Sequence, residues 1–149
     1  MPSLFASADR KSLTERLERF GPGATRQWGT MGPAQALTHC SIALEAAVGD
    51  RPMKQKFIGK ILAPFVRGMV LGERPFKRNS PTDPTFVVSE ECDLVVEKQR
   101  LLALIVRFAE GGPDAAARQE HAFFGKLTGA GWGTLMWKHV DHHLRQFGG

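Results

Sequence analysis

Three of the five histidines in the chain crowd into His139-Val140-Asp141-His142-His143, and a fourth, His39, stands a hundred residues earlier. Around the cluster, Trp132, Leu135, Met136, Val140, Leu144 and Phe147 recur at helical spacing. On such a helix His139 and His143 stand one turn apart on the same face, with Cβ atoms about 5–6 Å apart. Two imidazoles so placed can share one divalent ion, with His139 and His142 as the runner-up pair. A catalytic zinc-type site takes three protein ligands and keeps a position open for water or substrate, so a third histidine is required. His39 is the best candidate, because the segment 34–44 reads as a helix and Ala36 and Ala43 leave room beside its ring. Gln146, near the end of the same helix, is placed to orient a ligand or to bond the second nitrogen of a histidine. His121 is read mainly as a structural or surface residue that could approach the metal or the substrate.

These residues carry a resemblance. His39 followed by His139, His142, His143 and Gln146 is similar to the pattern of the DinB-like superfamily, a histidine on the second helix and H-x-x-H-H-x-x-Q on the last. The lead-ins Trp28-Gly29-Thr30-Met31-Gly32-Pro33-Ala34-Gln35 and His121-Ala122-Phe123-Phe124-Gly125-Lys126-Leu127-Thr128 look like an uncharacterised branch of it. The resemblance implies an all-α fold, a four-helix bundle of the DinB-like type with an extra kinked segment and long loops. It also implies a metal held by His39, His139 and His143.

An all-imidazole site accepts Zn or Ni, and equally Fe or Mn. Three neutral ligands leave the ion its full charge, which lowers the pKa of a thiol or water in the open position. Three outcomes follow. Relatives in the superfamily include thiol-dependent S-transferases and isomerases, which implies a transferase using a low-molecular-weight thiol. A metal-dependent hydrolase acting through activated water is the alternative, and a non-catalytic metal-binding protein is the third. The transferase leads, because no carboxylate base is evident on the histidine faces, and a hydrolase ordinarily wants one. The absence of Glu-x-x-His and His-Glu-x-x-His argues against a di-iron bundle and a zincin.

The elements that must position these groups fit one domain over 1–149. The 149 residues are 42% hydrophobic, enough for a real core. A formal charge of +5 invites nucleic acid or an anionic membrane. The basic residues are dispersed, however, and the expectation is neither; a solvated basic face, or a basic mouth for a small anionic substrate, is more economical. No apolar run reaches the ~20 residues of a membrane span, and the start Met1-Pro2-Ser3-Leu4-Phe5 lacks a signal-peptide core. Cys40 and Cys92 read as buried apolar residues of helical segments in a reduced, cytoplasmic protein, and a homodimer through exposed helix faces is compatible with the pattern.

A first helix is expected over 7–20, capped by Ser7, and a second from Gly32-Pro33 to Gly49. Trp28, just before it, is a packing residue or a ring for a ligand to stack on. Residues 53–71 should form two short helices or one kinked at Pro64, packed on the bundle as a lid or crossover. The proline-rich stretch 72–88 is an extended loop whose Arg74 or Lys77 could meet an anion. A long helix should follow Ser89 and stop at Gly111-Gly112-Pro113, and the last should begin after Thr128.

Overall fold

A computed structural model describes residues Met1–Gly149. Five helices dominate: α1 (Ser7–Arg19), α2 (Pro33–Val48), α3 (Phe57–Leu71), α4 (Leu94–Ala117) and α5 (Gly129–Gln146). The only sheet is a two-stranded antiparallel hairpin of β1 (Glu120–His121) and β2 (Gly125–Lys126), so the fold is all-α. No helix is long and apolar enough to cross a membrane.

The second helix starts and stops where its sequence dictates. Pro33 opens it, where a missing N–H is harmless, and the side chain of Gln35 turns back to accept from the Gly32 N–H at 2.8 Å. Gly49 closes it in the left-handed region at φ 90°. Its apolar stripe, Leu37, Cys40, Leu44 and Ala47, packs against α4 and α5. For α5, Thr128 is the cap, its hydroxyl accepting from the Gly131 N–H at 3.0 Å. Trp132, Met136, Val140 and Leu144 then bury a continuous face. Leu13 and Leu17 of α1 and Leu101, Ile105 and Phe108 of α4 complete the core, with Phe5 stacked on Phe108 at 4.7 Å.

Several expectations are corrected. Ser7 does not cap α1: the preceding Ala6 holds the cap position without a side-chain bond. Of the two forms expected for 53–71, the split pair is not found: α3 is one helix that runs through Pro64. Helix α4 starts later than directly after Ser89, at Leu94, where the carboxylate of Asp93 caps it by accepting from the Val95 and Val96 N–H groups. The glycine pair expected to stop this helix interrupts it instead: Gly112 leaves helical geometry at φ 78°, and a last turn from Pro113 continues to Ala117. Cys92 lies in the extended lead into α4 and is half-buried, whereas Cys40 is buried in α2; both thiols are free.

Helix α3 contacts α5 and lies on the outside. Gly59 and Ala63 are its buried residues, and a Cβ at Gly59 would collide with the backbone of Phe123, so glycine sets how closely this helix approaches the hairpin. The other end is fastened by Lys138 of α5. Its buried ammonium donates to the carbonyls of Val70 and Gly72, orphan acceptors at the helix C-terminus.

Candidate metal centre

The histidines at positions 39, 139 and 143 converge where α2 faces α5. Each offers one ring nitrogen, and the three nitrogens lie within 4.8 Å of one another. Ring centroids are 4.7 Å apart for His39 and His139, 4.8 Å for His39 and His143, and 5.1 Å for His139 and His143. His39 and His143 are buried and His139 half-buried. Tetrahedral coordination with bonds of 2.0–2.1 Å sets donors about 3.3 Å apart. The Nε2 atoms of His39 and His139 stand 2.8 Å apart, so the group brackets that spacing and fits one ion.

Two tautomers follow from the neighbours. His39 Nδ1 lies 2.8 Å from the carbonyl oxygen of Phe86, an acceptor, so Nδ1 carries the proton and Nε2 is left bare. Gln146 does the equivalent for His143. Its amide nitrogen donates to the Trp28 carbonyl at 2.9 Å, which leaves its oxygen to accept from His143 Nδ1 at 2.8 Å. Both buried rings therefore present an unprotonated Nε2, the arrangement in which an outer partner orients a metal-binding imidazole. Gly29 makes the Trp28 contact feasible. Its φ of 78° favours glycine, and a side chain there would collide with the Gln146 amide.

Burial keeps these rings neutral. It pushes His143 down to about 3, with the charge of His39 acting in the same sense and the Gln146 bond opposing. Burial also lowers His39, against the Phe86 bond, and holds His139 well below the usual imidazole range, helped by the other histidines. A ring that resists protonation has its lone pair available to a cation.

His142 belongs to a different surface. It packs against His143, with centroids 5.1 Å apart, but turns toward Trp28 at 5.5 Å and Phe76 at 5.9 Å, and it lines a cavity that the other three do not. His121 is not one of the converging rings. Its Nδ1 accepts from the Phe123 and Phe124 N–H groups at 3.0 and 3.1 Å, fixing the β1–β2 turn, and its ring leans on Trp132. Burial drives it down to about 4. Arg74 is exposed and outside the cavity lining, to which the same loop contributes Glu73, Pro75, Phe76 and Arg78.

Several supporting residues have no signature in the sequence. Phe86 acts through a backbone carbonyl, and Phe76 and Arg78 sit in a loop whose prolines report only that it is extended. Lys138 is the exception, since a lysine beside Met136 and Val140 in an apolar helix asks for buried acceptors. Asp141, also buried, has them as cations: Arg16 of α1 at 2.7 Å and Arg145 at 2.9 Å.

The model of a family described as a protein of unknown function, DUF1569, matches residues 5–148. Neither a curated protein nor a solved structure matches the chain.

Proposed function

The chain belongs to the DUF1569 family, and from that premise and its converging imidazoles we propose a divalent-metal-dependent transferase of small molecules, with a fold of the DinB-like four-helix type built from α1, α2, α4 and α5. His39, His139 and His143 would hold the ion, and the observation that carries this reading is their three ring nitrogens within 4.8 Å. When bound, a divalent cation supplies Lewis acidity, which lowers the pKa of a thiol or of water.

The chain's own residues do the rest. Phe86 and Gln146 hold the proton of His39 and His143 on Nδ1, so neither ring has to turn or lose a proton to present Nε2. The two carboxylates of the neighbouring cavity differ in kind. Asp141 is saturated by two arginines and cannot serve as a base. A low-molecular-weight thiol needs no such base once its proton is acidified, which favours the transferase. The second reading, a hydrolase acting through metal-activated water, stands behind it, because the histidine cluster holds no carboxylate and Glu73, exposed on the rim of that cavity, is separated from it by His142.

Elemental analysis of purified protein tests the shared premise: about one Zn, Ni, Fe or Mn per chain, lost in His39→Ala, is expected. Metal-loaded protein is then given a panel of cellular thiols with a generic electrophile, and separately chromogenic esters without thiol. Turnover that requires thiol and is lost in His39→Ala establishes the transferase. Ester cleavage without thiol, likewise lost in His39→Ala, establishes the hydrolase. Metal without turnover in either assay leaves a binding protein.

A further inference from the structure

A cavity of about 800 Å³ opens on the far side of His142 from the other histidines, within the range of small-molecule sites. Its apolar surface is mostly aromatic, from Trp28, Phe76 and Trp137, with Met1 and two prolines beside them. Its charge is positive. Arg78 lies over the Trp28 ring at 4.3 Å, stands in solvent and makes no ion pair. Arg145 spends only its Nε on Asp141, at 2.9 Å, and keeps the outer edge of a half-exposed guanidinium free. Arg16 also engages Asp141, so that carboxylate does not cancel both arginines. Among the side chains of the lining, Glu73 is the one other acidic group.

Two free guanidinium edges and flat apolar walls describe a particular guest. A guanidinium binds a planar oxyanion through paired N–H donors, and rings bind flat or apolar bodies. We propose that this cavity binds a small organic anion, a carboxylate or phosphate on a flat apolar body, with the anion on Arg78 and Arg145 and the body against Trp28 and Phe76. That the anion is the substrate of the metal centre rests on the function proposed above, and on His142, which forms the wall between cavity and histidines. That the cavity binds an anion does not.

The test is made on the full chain, with and without metal removed by a chelator. Quenching of tryptophan fluorescence reports occupancy, because Trp28 and Trp137 both line the cavity. The probes are 4-nitrobenzoate, 4-nitrophenyl phosphate and the neutral isostere 4-nitrobenzamide. The anions should bind about tenfold more tightly than the amide, as a charge-assisted pair allows, and the preference should shrink with salt. Arg78→Gln should remove most of that preference while leaving metal content and melting temperature unchanged. Equal binding of anion and amide, or an undiminished preference in Arg78→Gln, overturns the proposal. A preference that persists in metal-free protein and in His39→Ala upholds the anion site whatever becomes of the metal reading. An intact metal centre with no anion preference sinks the cavity alone.

Discussion

Helices α3 and α5 invert what their sequences promise. The former is the most apolar helix of the chain, yet of its fifteen residues only Gly59 and Ala63 are buried, while Phe57 and Phe65 are 77% and 81% exposed. The latter contains three glycines, three histidines, a lysine, an aspartate and a glutamine, and twelve of its eighteen residues are buried. The difference is one of neighbours. The buried polar groups that would cost most are partnered: Asp141 has two arginines, Lys138 two carbonyls, Gln146 a carbonyl and an imidazole, while the Trp132 indole N–H is left without one. Polar groups so matched cost little to bury. An apolar helix that touches little beyond α5 and the hairpin gains little from its own hydrophobicity. Hydropathy ranks what a residue would prefer, and topology decides what it receives.

The contrast can be broken at its strongest point first. Trp132, wholly buried in α5, should cost about 3–5 kcal/mol as Trp132→Ala. Urea denaturation reads this directly, and a loss under 1 kcal/mol would show that α5 is not the core element described. Gln146→Ala should follow at about 1–3 kcal/mol, since it orphans the Trp28 carbonyl and frees His143 Nδ1. The same change should weaken metal binding about 10–100-fold, an effect absent if Gln146 only fills space.

A pH dependence comes next. His121 titrates near 4 in the fold against an ordinary 6.5, so the unfolded chain binds its proton first. Its contribution is complete above about pH 6.5 and is lost as pH falls through 4. Urea midpoints should therefore decline on acidification, and His121→Gln, which can still accept from the turn, should flatten the decline. Stability that rises toward pH 4.5 would refute the assignment. Smallest of all, Phe65→Ser on α3 should change stability by within about 0.5 kcal/mol; a cost above 2 kcal/mol would mean that this face is covered.

How far the sequence speaks follows the same division. The boundaries of α2 and the start of α5 are legible because Pro33, Gly49 and Thr128 act locally, each on its own backbone. The convergence of His39 with His139 and His143 is legible through the i, i+4 spacing joined to a resemblance, whereas periodicity alone leaves His39 free to be an ordinary core histidine. The choice between one helix and two across Pro64 is not legible, because continuity depends on the proline standing exposed, where water can take up a lost backbone bond. Nor is the start of α4, since Ser89, Glu90, Glu91 and Asp93 all suit a helix N-terminus and only Asp93 reaches the Val95 and Val96 N–H groups. The partners of the histidines are hardest to read, since one is a main-chain oxygen.

Lys138 sets a leash on the cavity. Its ammonium rivets the chain at Gly72, and Arg78 lies only six positions further along. At 3.3–3.6 Å per residue, the guanidinium's backbone can stray no more than about 20 Å from the rivet. Any loosening of the loop is therefore bounded by a tether fixed one residue before His139, and the two halves of the pocket must move, when they move, as parts of one short circuit.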